Sequence, residues 1–469
     1  MRRGQILLMS GTAVLAFVII GQQPASAEVI APGKNIYEAK CAVCHGIEGK
    51  GDGPAQSFLY PKPRDLTAGK FKIRSTPSGS LPTDEDLLKT ITNGVTGTSM
   101  PSWRVISEKE RRALVEYIKT FDERFKTQPA AKPISIGPPL PKTTRLLVKG
   151  KQLYEDAGCF ECHGTTGKGD GPAAKQGLKD DWGKPITAYD FTKGGRYKAG
   201  SSIRDIYRTF TTGMAGTPMP SYADSLAENE RWALAYYVKS LSRAPTGPAP
   251  QEGGAIRSKF IKGDLAAPDP ASPAWKRARA TDVLLRPLWL KEGYVDRVRV
   301  RSLHNGREIA FLLEWDDPAM NAAVQRTEDF RDGAAIQFPI TPVQLPGAGH
   351  PEPAYLMGDA QGPVNIWQWK ADWEKNGRGP VENLAAAGFG TLTTQRSQNV
   401  RGKGLWNDGK WRVAFSRAMA GGGEVAEFTP GKVMPIAFSV WNGAMSQVDG
   451  EKSVSTWSYL KIEPRGRGE

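Results

Sequence analysis

The chain has 469 residues, of which 39% are hydrophobic and 24% are charged. At roughly 100–200 residues per domain this length predicts two to four domains, and the composition excludes an integral membrane bundle and wholesale disorder. Four cysteines are too few for a disulfide-stabilised scaffold. The net charge of +14 is spread along the chain without an aromatic–basic binding motif, so we expect no nucleic acid partner.

Residues 1–27 have the three regions of a secretory signal peptide. These are a positive start, an apolar stretch and an Ala-x-Ala cleavage site: Arg2 and Arg3, residues 6–20, and Ala25-Ser26-Ala27. A membrane span needs about 20 apolar residues, and this stretch ends earlier, before Gln22. We therefore expect cleavage before Glu28 and a mature protein in the periplasm or another extracytoplasmic compartment, associated with a membrane only through partners.

The strongest feature of the sequence is an internal repeat. Three segments recur in the same order: Cys41-Ala42-Val43-Cys44-His45-Gly46 as Cys159-Phe160-Glu161-Cys162-His163-Gly164, Gly49-Lys50-Gly51-Asp52-Gly53-Pro54 as Gly167-Lys168-Gly169-Asp170-Gly171-Pro172, and Gly97-Thr98-Ser99-Met100-Pro101 as Gly216-Thr217-Pro218-Met219-Pro220. Because order and spacing are both retained, the sequence predicts two copies of one domain.

Cys-x-x-Cys-His is the attachment signature of c-type haem. The two thiols add to the haem vinyl groups, so they must be one helical turn apart, and the adjacent histidine ligates the iron. A disulfide redox pair would not need the histidine, and a zinc site would need further donors that no remaining cysteine can supply. The sequence predicts two covalent c haems, on Cys41, Cys44 and His45 and on Cys159, Cys162 and His163.

Met100 and Met219 are the predicted second axial ligands. They occupy equivalent places in the two copies, each followed by proline, and thioether ligation raises the potential of a haem. Met214 competes in the second copy, but it aligns with Val95 in the first and is therefore expected to be a packing residue.

Helical apolar spacing follows each methionine, and a Ser107–Glu110 capping box is expected at the start of the helix after Met100. Together with the haem motifs, this pattern resembles class I cytochrome c. The resemblance implies two all-α domains, at residues 28–126 (the first unit) and 146–242 (the second unit). Pro-rich linkers are predicted at 127–145 and 243–254.

The remainder, residues 255–469, has no cysteine and is dominated by short strand-like runs. Two of these runs flank Asn305-Gly306, a strong hairpin signal. Short strands separated by Gly and Pro turns predict an antiparallel β-sandwich.

Motifs in this region resemble the haem-b-binding γ subunit of the ethylbenzene dehydrogenase type. The matching segments are Trp315-Asp316-Asp317, residues 330–339, Met357-Gly358-Asp359, residues 364–371, Trp441-Asn442-Gly443 and residues 452–457. Such subunits serve complex iron–sulfur molybdoenzymes, namely dehydrogenases of ethylbenzene and dimethyl sulfide, reductases of selenate and chlorate, and some nitrite oxidoreductases. The resemblance implies partner chains that carry iron–sulfur clusters and a molybdenum cofactor.

In that family the b haem is held by a Met and a Lys, and the resemblance places these ligands at Met357 and Lys452. Lysine can ligate only as the neutral amine, so its pKa must fall below its ordinary value of about 10.4 through burial and iron binding. The alternative lysine ligands are Lys403 and Lys432, and His350 is a further alternative. His304 is expected to lie solvated in the hairpin turn.

These features predict an electron-transfer subunit with no catalytic constellation of its own. Electrons would pass from the partner to the b haem, then to the second unit, then to the first unit, and out to a soluble cytochrome or terminal oxidase. High-potential output favours nitrite oxidation as the partner's reaction. Two alternatives remain open: a sandwich that binds no haem and serves as a ligand-binding or docking module, and a self-contained haem peroxidase or nitrite reductase with an open iron site.

Overall fold

The computed structural model describes residues 27–193, 196–242, 254–291, 293–341, 343, 352–359, 362–377, 379–422 and 425–465. The predicted signal peptide before Ala27, nearly all of the second linker, and His350 lie outside the described residues. Among the described helices, none has the length and apolar content needed to cross a membrane.

The first unit is built from helices around one core. They are α1 Ala27–Lys40, α2 Ala42–His45, α3 Asp84–Asn93, α4 Glu108–Lys119 and α5 Arg124–Thr127. The predicted capping box starts α4, where the Glu110 amide donates to Ser107 Oγ and the Glu110 carboxylate accepts from the Ser107 amide. α1 crosses α4 at Gly33, where a Cβ would lie 2.1 Å from the Ala113 carbonyl oxygen, so only glycine permits this approach.

The second unit repeats this arrangement. Its helices are α6 Thr144–Asp156, α7 Cys159–His163, α8 Pro172–Gln176, α9 Ile203–Thr212 and α10 Glu228–Leu241. Gly150 of α6 lies against Ala233 of α10 as Gly33 lies against Ala113. A short hairpin, β1 Leu178–Lys179 and β2 Pro185–Ile186, is an addition that the expectation of an all-α domain did not include.

The two helical units pack directly on each other through polar contacts. The side chain of Arg74 is almost fully buried and donates to the Thr212 carbonyl oxygen at 2.6 Å. Lys70 pairs with Asp181 at 2.6 Å, and Lys89 pairs with Asp205 at 2.8 Å. The Pro-rich segment between α5 and α6 is extended and contacts both units, through Ile134 N to Ser75 O and Tyr236 Oη to Leu140 O.

The C-terminal region is a sandwich of two sheets with one short helix, α11 Ala371–Lys375. Its strands are β3 Ala255–Phe260, β4 Thr281–Leu284, β5 Arg286–Pro287, β6 Arg297–His304, β7 Glu308–Asp316, β8 Gly333–Pro339, β9 Val364–Lys370, β10 Val381–Ala386, β11 Thr393–Thr394, β12 Arg401–Asn407, β13 Lys410–Ala418, β14 Val433–Trp441, β15 Ser453–Val454 and β16 Ser458–Ile462. The strand order is β16-β3-β6-β7-β13-β12 in one sheet and β11-β10-β9-β8-β14 in the other.

Strand β14 joins the two sheets, because its first half pairs with β16 and its second half with β8. The predicted hairpin at Asn305-Gly306 is confirmed as the turn between β6 and β7. The expectation of a wholly antiparallel sandwich is wrong, since β3 pairs in parallel with both β16 and β6. β3 follows the second linker and enters between two strands that already run in its direction.

Aromatic side chains from both sheets form the sandwich core. The ring centroids of Trp369 and Trp411 are 4.8 Å apart, and those of Phe338 and Trp367 are 4.9 Å apart. His304 is the last residue of β6 and is fully buried beside Phe260. The expectation that it is solvated in the turn is therefore wrong.

The first unit docks on the sandwich by backbone pairing and aromatic contacts. The Tyr60 amide donates to the Leu288 carbonyl oxygen and the Leu290 amide donates to the Tyr60 carbonyl oxygen, both at 2.8 Å. The ring of Phe58 stacks on Phe389 with centroids 5.1 Å apart. The second unit reaches the sandwich through an ion pair between Arg196 and Asp296 at 3.2 Å.

Two buried carboxyl groups lie together at one edge of the sandwich core. Asp332 accepts hydrogen bonds from the Asn321 amide, the Trp411 indole and the Gly443 amide. Asp317 is fully buried beside it, and burial, with the neighbouring Asp332 charge, raises the pKa of Asp317 to about 7. Asp317 is therefore the member of the pair that keeps its proton.

We expect Asp317→Asn to make the free energy of unfolding less dependent on pH. In the wild type, the unfolded chain loses the Asp317 proton near pH 4 but the folded chain loses it near pH 7, so stability falls as pH rises between these values. The urea midpoint of the variant should therefore gain more, relative to the wild type, at about pH 7.5 than at about pH 5. Asp316→Asn, at an exposed neighbouring carboxylate, serves as the control. An equal change at both pH values would contradict this assignment.

Candidate cofactor sites

The first cleft lies between the helices of the first unit, and its wall contains all four predicted haem c residues: Cys41, Cys44, His45 and Met100. The cleft is lined mainly by apolar side chains, including Phe71, Leu87, Ile91 and Leu114. Such a cleft fits a flat, apolar macrocycle.

His45 is oriented for iron by its backbone contact. Its Nδ1 lies 3.0 Å from the Arg64 carbonyl oxygen. A carbonyl can only accept, so Nδ1 carries the proton and Nε2 remains available as a ligand. Burial lowers the pKa of His45, which favours the neutral imidazole that ligation requires.

The Cys41 and Cys44 thiols are not suited to redox exchange. Burial raises the pKa of each to about 12, whereas reactive thiols have lowered pKa values. Both cysteines belong to one helical turn with His45, since the His45 amide donates to the Cys41 carbonyl oxygen at 2.9 Å. This arrangement supports covalent haem attachment.

Met100 is held by a tight loop. Its amide donates to Thr98 Oγ1 at 3.2 Å, and its carbonyl oxygen accepts from the Val95 amide at 3.0 Å. Thr98 Oγ1 in turn donates to the Val95 carbonyl oxygen at 2.7 Å. The loop fixes Met100 in the wall of the cleft.

The second cleft repeats the first, with Cys159, Cys162, His163 and Met219 in its wall. His163 Nδ1 lies 3.1 Å from the Tyr189 carbonyl oxygen, and the imidazole stacks on Phe191. The Met219 amide donates to Thr217 Oγ1 at 3.2 Å, as in the Met100 loop. Met214 also lines this cleft, but only Met219 occupies the position equivalent to Met100.

The two clefts share part of their walls. Pro61 and Lys72, both from the first unit, line the first and the second cleft. Burial lowers the pKa of Lys72 to about 7, and the nearby Lys198 and Arg64 add repulsion. The repeat gives no signal for Lys72, because its position between the clefts results from the packing of one unit on the other.

The predicted haem b ligands lie in one apolar region of the sandwich. Lys452 is 8% exposed, and its Nζ lies 4.7 Å from the ring centre of Trp441. Among the described residues no hydrogen bond to this amine is found, and burial lowers the pKa of Lys452 to about 8. Met357 packs against the same cluster, which contains Trp441 and Trp457.

Met357 has an uncommon backbone conformation. Its φ of +67° lies in the left-handed region, which costs energy for a side chain without a local polar contact. The Gly388 amide holds the Met357 carbonyl oxygen at 2.9 Å. Lys403 and Lys432, the alternative lysines, are both exposed. A buried amine with a lowered pKa and a partly buried thioether fit the donor set of a haem b iron.

The first unit, rather than the second, lies against this region. Tyr355, two residues before Met357, lines the first cleft, whereas no described sandwich residue lines the second cleft. The expectation that the second unit neighbours the haem b site is therefore wrong. Chain order places the second unit next to the sandwich, but in the folded chain the first cleft, and not the second, lies against the Met357 region.

Comparison with known proteins gives three family matches. The ethylbenzene dehydrogenase family matches residues 272–397 and 386–453. The cytochrome c family matches residues 147–242, and the family of subunit III of cbb3-type cytochrome c oxidase matches residues 28–118.

Several curated relatives each match part of the chain. A protein named as a respiratory nitrate reductase heme subunit of Haloferax mediterranei is 30% identical over 42% of this chain and 70% of its own length. The chlorate reductase subunit gamma of Ideonella dechloratans is 29% identical over 49% of this chain and 94% of its own length. The dimethylsulfide dehydrogenase subunit gamma of Rhodovulum sulfidophilum is 36% identical over 32% of this chain and 55% of its own length.

We expect Lys72→Gln to lower the midpoint potentials of both c haems, because a positive charge beside both clefts favours the reduced, less positive iron. A redox titration followed by absorbance at about pH 6, where the amine is mostly protonated, measures this. Lys198 lines the second cleft alone, so Lys198→Gln should lower one potential only. Exposed Lys151→Gln is the neutral control. If Lys72→Gln changed the midpoint potential of only one c haem, the position of Lys72 beside both clefts would be contradicted.

We expect the native reduced protein to bind no carbon monoxide at its c haems, since the predicted ligand pairs, His45 with Met100 and His163 with Met219, would fill both axial positions. Met100→Ala should open one site and Met219→Ala the other, each seen as one equivalent of carbon monoxide bound. Met214→Leu should leave binding unchanged. If Met214→Leu, and not Met219→Ala, opens the second site, the ligand assignment in that unit is wrong.

Proposed function

We propose that this chain, which belongs to the family of ethylbenzene dehydrogenase-type haem subunits, relays electrons between a catalytic partner and an external electron-transport chain. Its family relatives are named as haem or gamma subunits of nitrate reductase, chlorate reductase and dimethylsulfide dehydrogenase. The observation that supports the proposal is that the first cleft lies next to both the second cleft and the apolar region around Met357.

The donor set of each site supports electron transfer rather than catalysis. A histidine with a methionine, or a methionine with a lysine, fills both axial positions of a haem and leaves no position for a substrate. Among the described residues no group of three or more His, Cys, Asp or Glu side chains is placed to hold a further metal. The family resemblance implies that the iron–sulfur clusters and the molybdenum cofactor belong to partner chains.

The packing supports a relay order of sandwich, first unit, second unit. The partner exchanges electrons at the haem b site, and the second unit exchanges them with an external carrier such as a soluble cytochrome or a terminal oxidase. A dehydrogenase partner sends electrons outward and a reductase partner draws them inward. Nitrite oxidation remains a prediction, since none of the three relatives named above is a nitrite oxidoreductase.

We expect the purified native chain to contain two covalent c haems and one b haem that acid–acetone extracts. A pyridine haemochrome spectrum before and after extraction measures both. Lys452→Ala and Met357→Ala should each lose the b haem and retain both c haems, because each removes one axial donor. Exposed Lys432→Ala is the matched control and should retain all three.

Two c haems and no b haem in a folded native chain would contradict the haem b proposal. The sandwich would then be a ligand-binding or docking module. If Lys432→Ala lost the b haem and Lys452→Ala retained it, the sandwich would still be a haem b domain. Its lysine ligand would then be Lys432 and not Lys452.

A further inference from the structure

The segment Glu352–Asp359 is held from both sides of a domain boundary. On the sandwich side, the Trp457 indole donates to the Pro353 carbonyl oxygen at 2.7 Å, and the Tyr459 hydroxyl donates to Glu352 at 3.1 Å. On the side of the first unit, the Lys40 ammonium lies 3.7 Å from the Glu352 carboxylate. Both members of this ion pair are almost fully buried, and Lys40 directly precedes Cys41.

Tyr355 lies at the centre of this segment and reaches into the first cleft. Its hydroxyl lies 3.5 Å from the carbonyl oxygen of Ser99, the residue before Met100. Its ring meets Trp103 edge to face, with centroids 6.2 Å apart. The Tyr355 carbonyl oxygen accepts from Gln337 Nε2 at 3.1 Å, which fixes the backbone to the sandwich.

Tyr355 also packs in the apolar cluster of Met357, Trp441 and Trp457. The same side chain therefore touches the core of the first unit and the region of the predicted haem b ligands. No other sandwich residue that the structure describes lines the first cleft, and none lines the second.

We propose that Tyr355 is the positioning residue that couples the haem b site to the first c-haem cleft. This inference rests on the proposed function. Electronic coupling decays faster across empty space than through packed atoms, and Tyr355 fills the space between Met357 and the wall that carries Met100. One electron is transferred at a time, with no bond made or broken, and Tyr355 keeps its phenolic proton and is not itself oxidised.

The test compares Tyr355→Ala and Tyr355→Leu with Tyr60→Ala in the full chain. Tyr60 belongs to the same domain boundary, beside Trp289, but it does not line either cleft. Pulse radiolysis delivers one electron, and absorbance at the separate bands of b and c haems follows its redistribution. Haem content and the potential of each haem are measured for every variant.

We expect Tyr355→Ala to slow the exchange between b and c haems about tenfold, because the electronic coupling between the two sites falls when the ring is removed. Tyr355→Leu should also slow it, because an aliphatic side chain is shorter and leaves part of the gap open. Tyr60→Ala should retain the wild-type rate, and exchange between the two c haems should be unchanged in all three variants.

Three outcomes would overturn the inference. Exchange at the wild-type rate in Tyr355→Leu with all haems present would remove the role of Tyr355 and leave the proposed function intact. An equal slowing in Tyr60→Ala would assign the effect to docking of the first unit in general. A wild-type chain without b haem would remove both the inference and the haem b proposal.

Discussion

The attachment of a c haem to a single helical turn is the constraint on which the fold of both cytochrome units depends. Two thioether bonds and one imidazole must meet one small region of a flat ring, so both cysteines and the histidine lie on one turn. That turn is too short to be stable alone. Each unit supports it in the same way: a buried tyrosine donates to the glycine carbonyl after the histidine, Tyr37 to Gly46 at 2.8 Å and Tyr154 to Gly164 at 2.7 Å. A glycine then allows the flanking helices to cross closely beside it.

The sandwich has no covalent anchor for a cofactor and depends on burial instead. Burial of Lys452 costs free energy, because its ammonium ion loses its hydration. That cost becomes an advantage at a metal site, since it favours the neutral amine that can ligate. Met357 has a strained backbone in the same apolar region, and such strain is found at sites where the surrounding structure holds a functional group.

The first unit makes two different kinds of interface. Toward the second unit the contacts are charged and polar, including Lys70, Lys89 and the buried Arg74. Toward the sandwich they are backbone pairs of Tyr60, aromatic contacts of Tyr60 and Phe58, and one buried ion pair between Lys40 and Glu352. The packing of the two c-type units also places Lys72 in the walls of both clefts, where a positive charge is predicted to raise both potentials.

The sequence by itself determined both haem c sites, the repeat, the β-rich C-terminal half and the family resemblance, because Cys-x-x-Cys-His and the Met-Pro loops are local patterns whose chemistry does not depend on distant residues. It did not determine the parallel pairing of β3, the burial of His304 or the position of Lys72 between the clefts. It also gave the wrong neighbour for the haem b site. The pairing of β3 and the burial of His304 depend on contacts between distant parts of the sandwich, and the other features depend on how finished domains pack. Tyr355 and Ser99, which meet across a domain boundary, are far apart in the chain and carry no shared pattern.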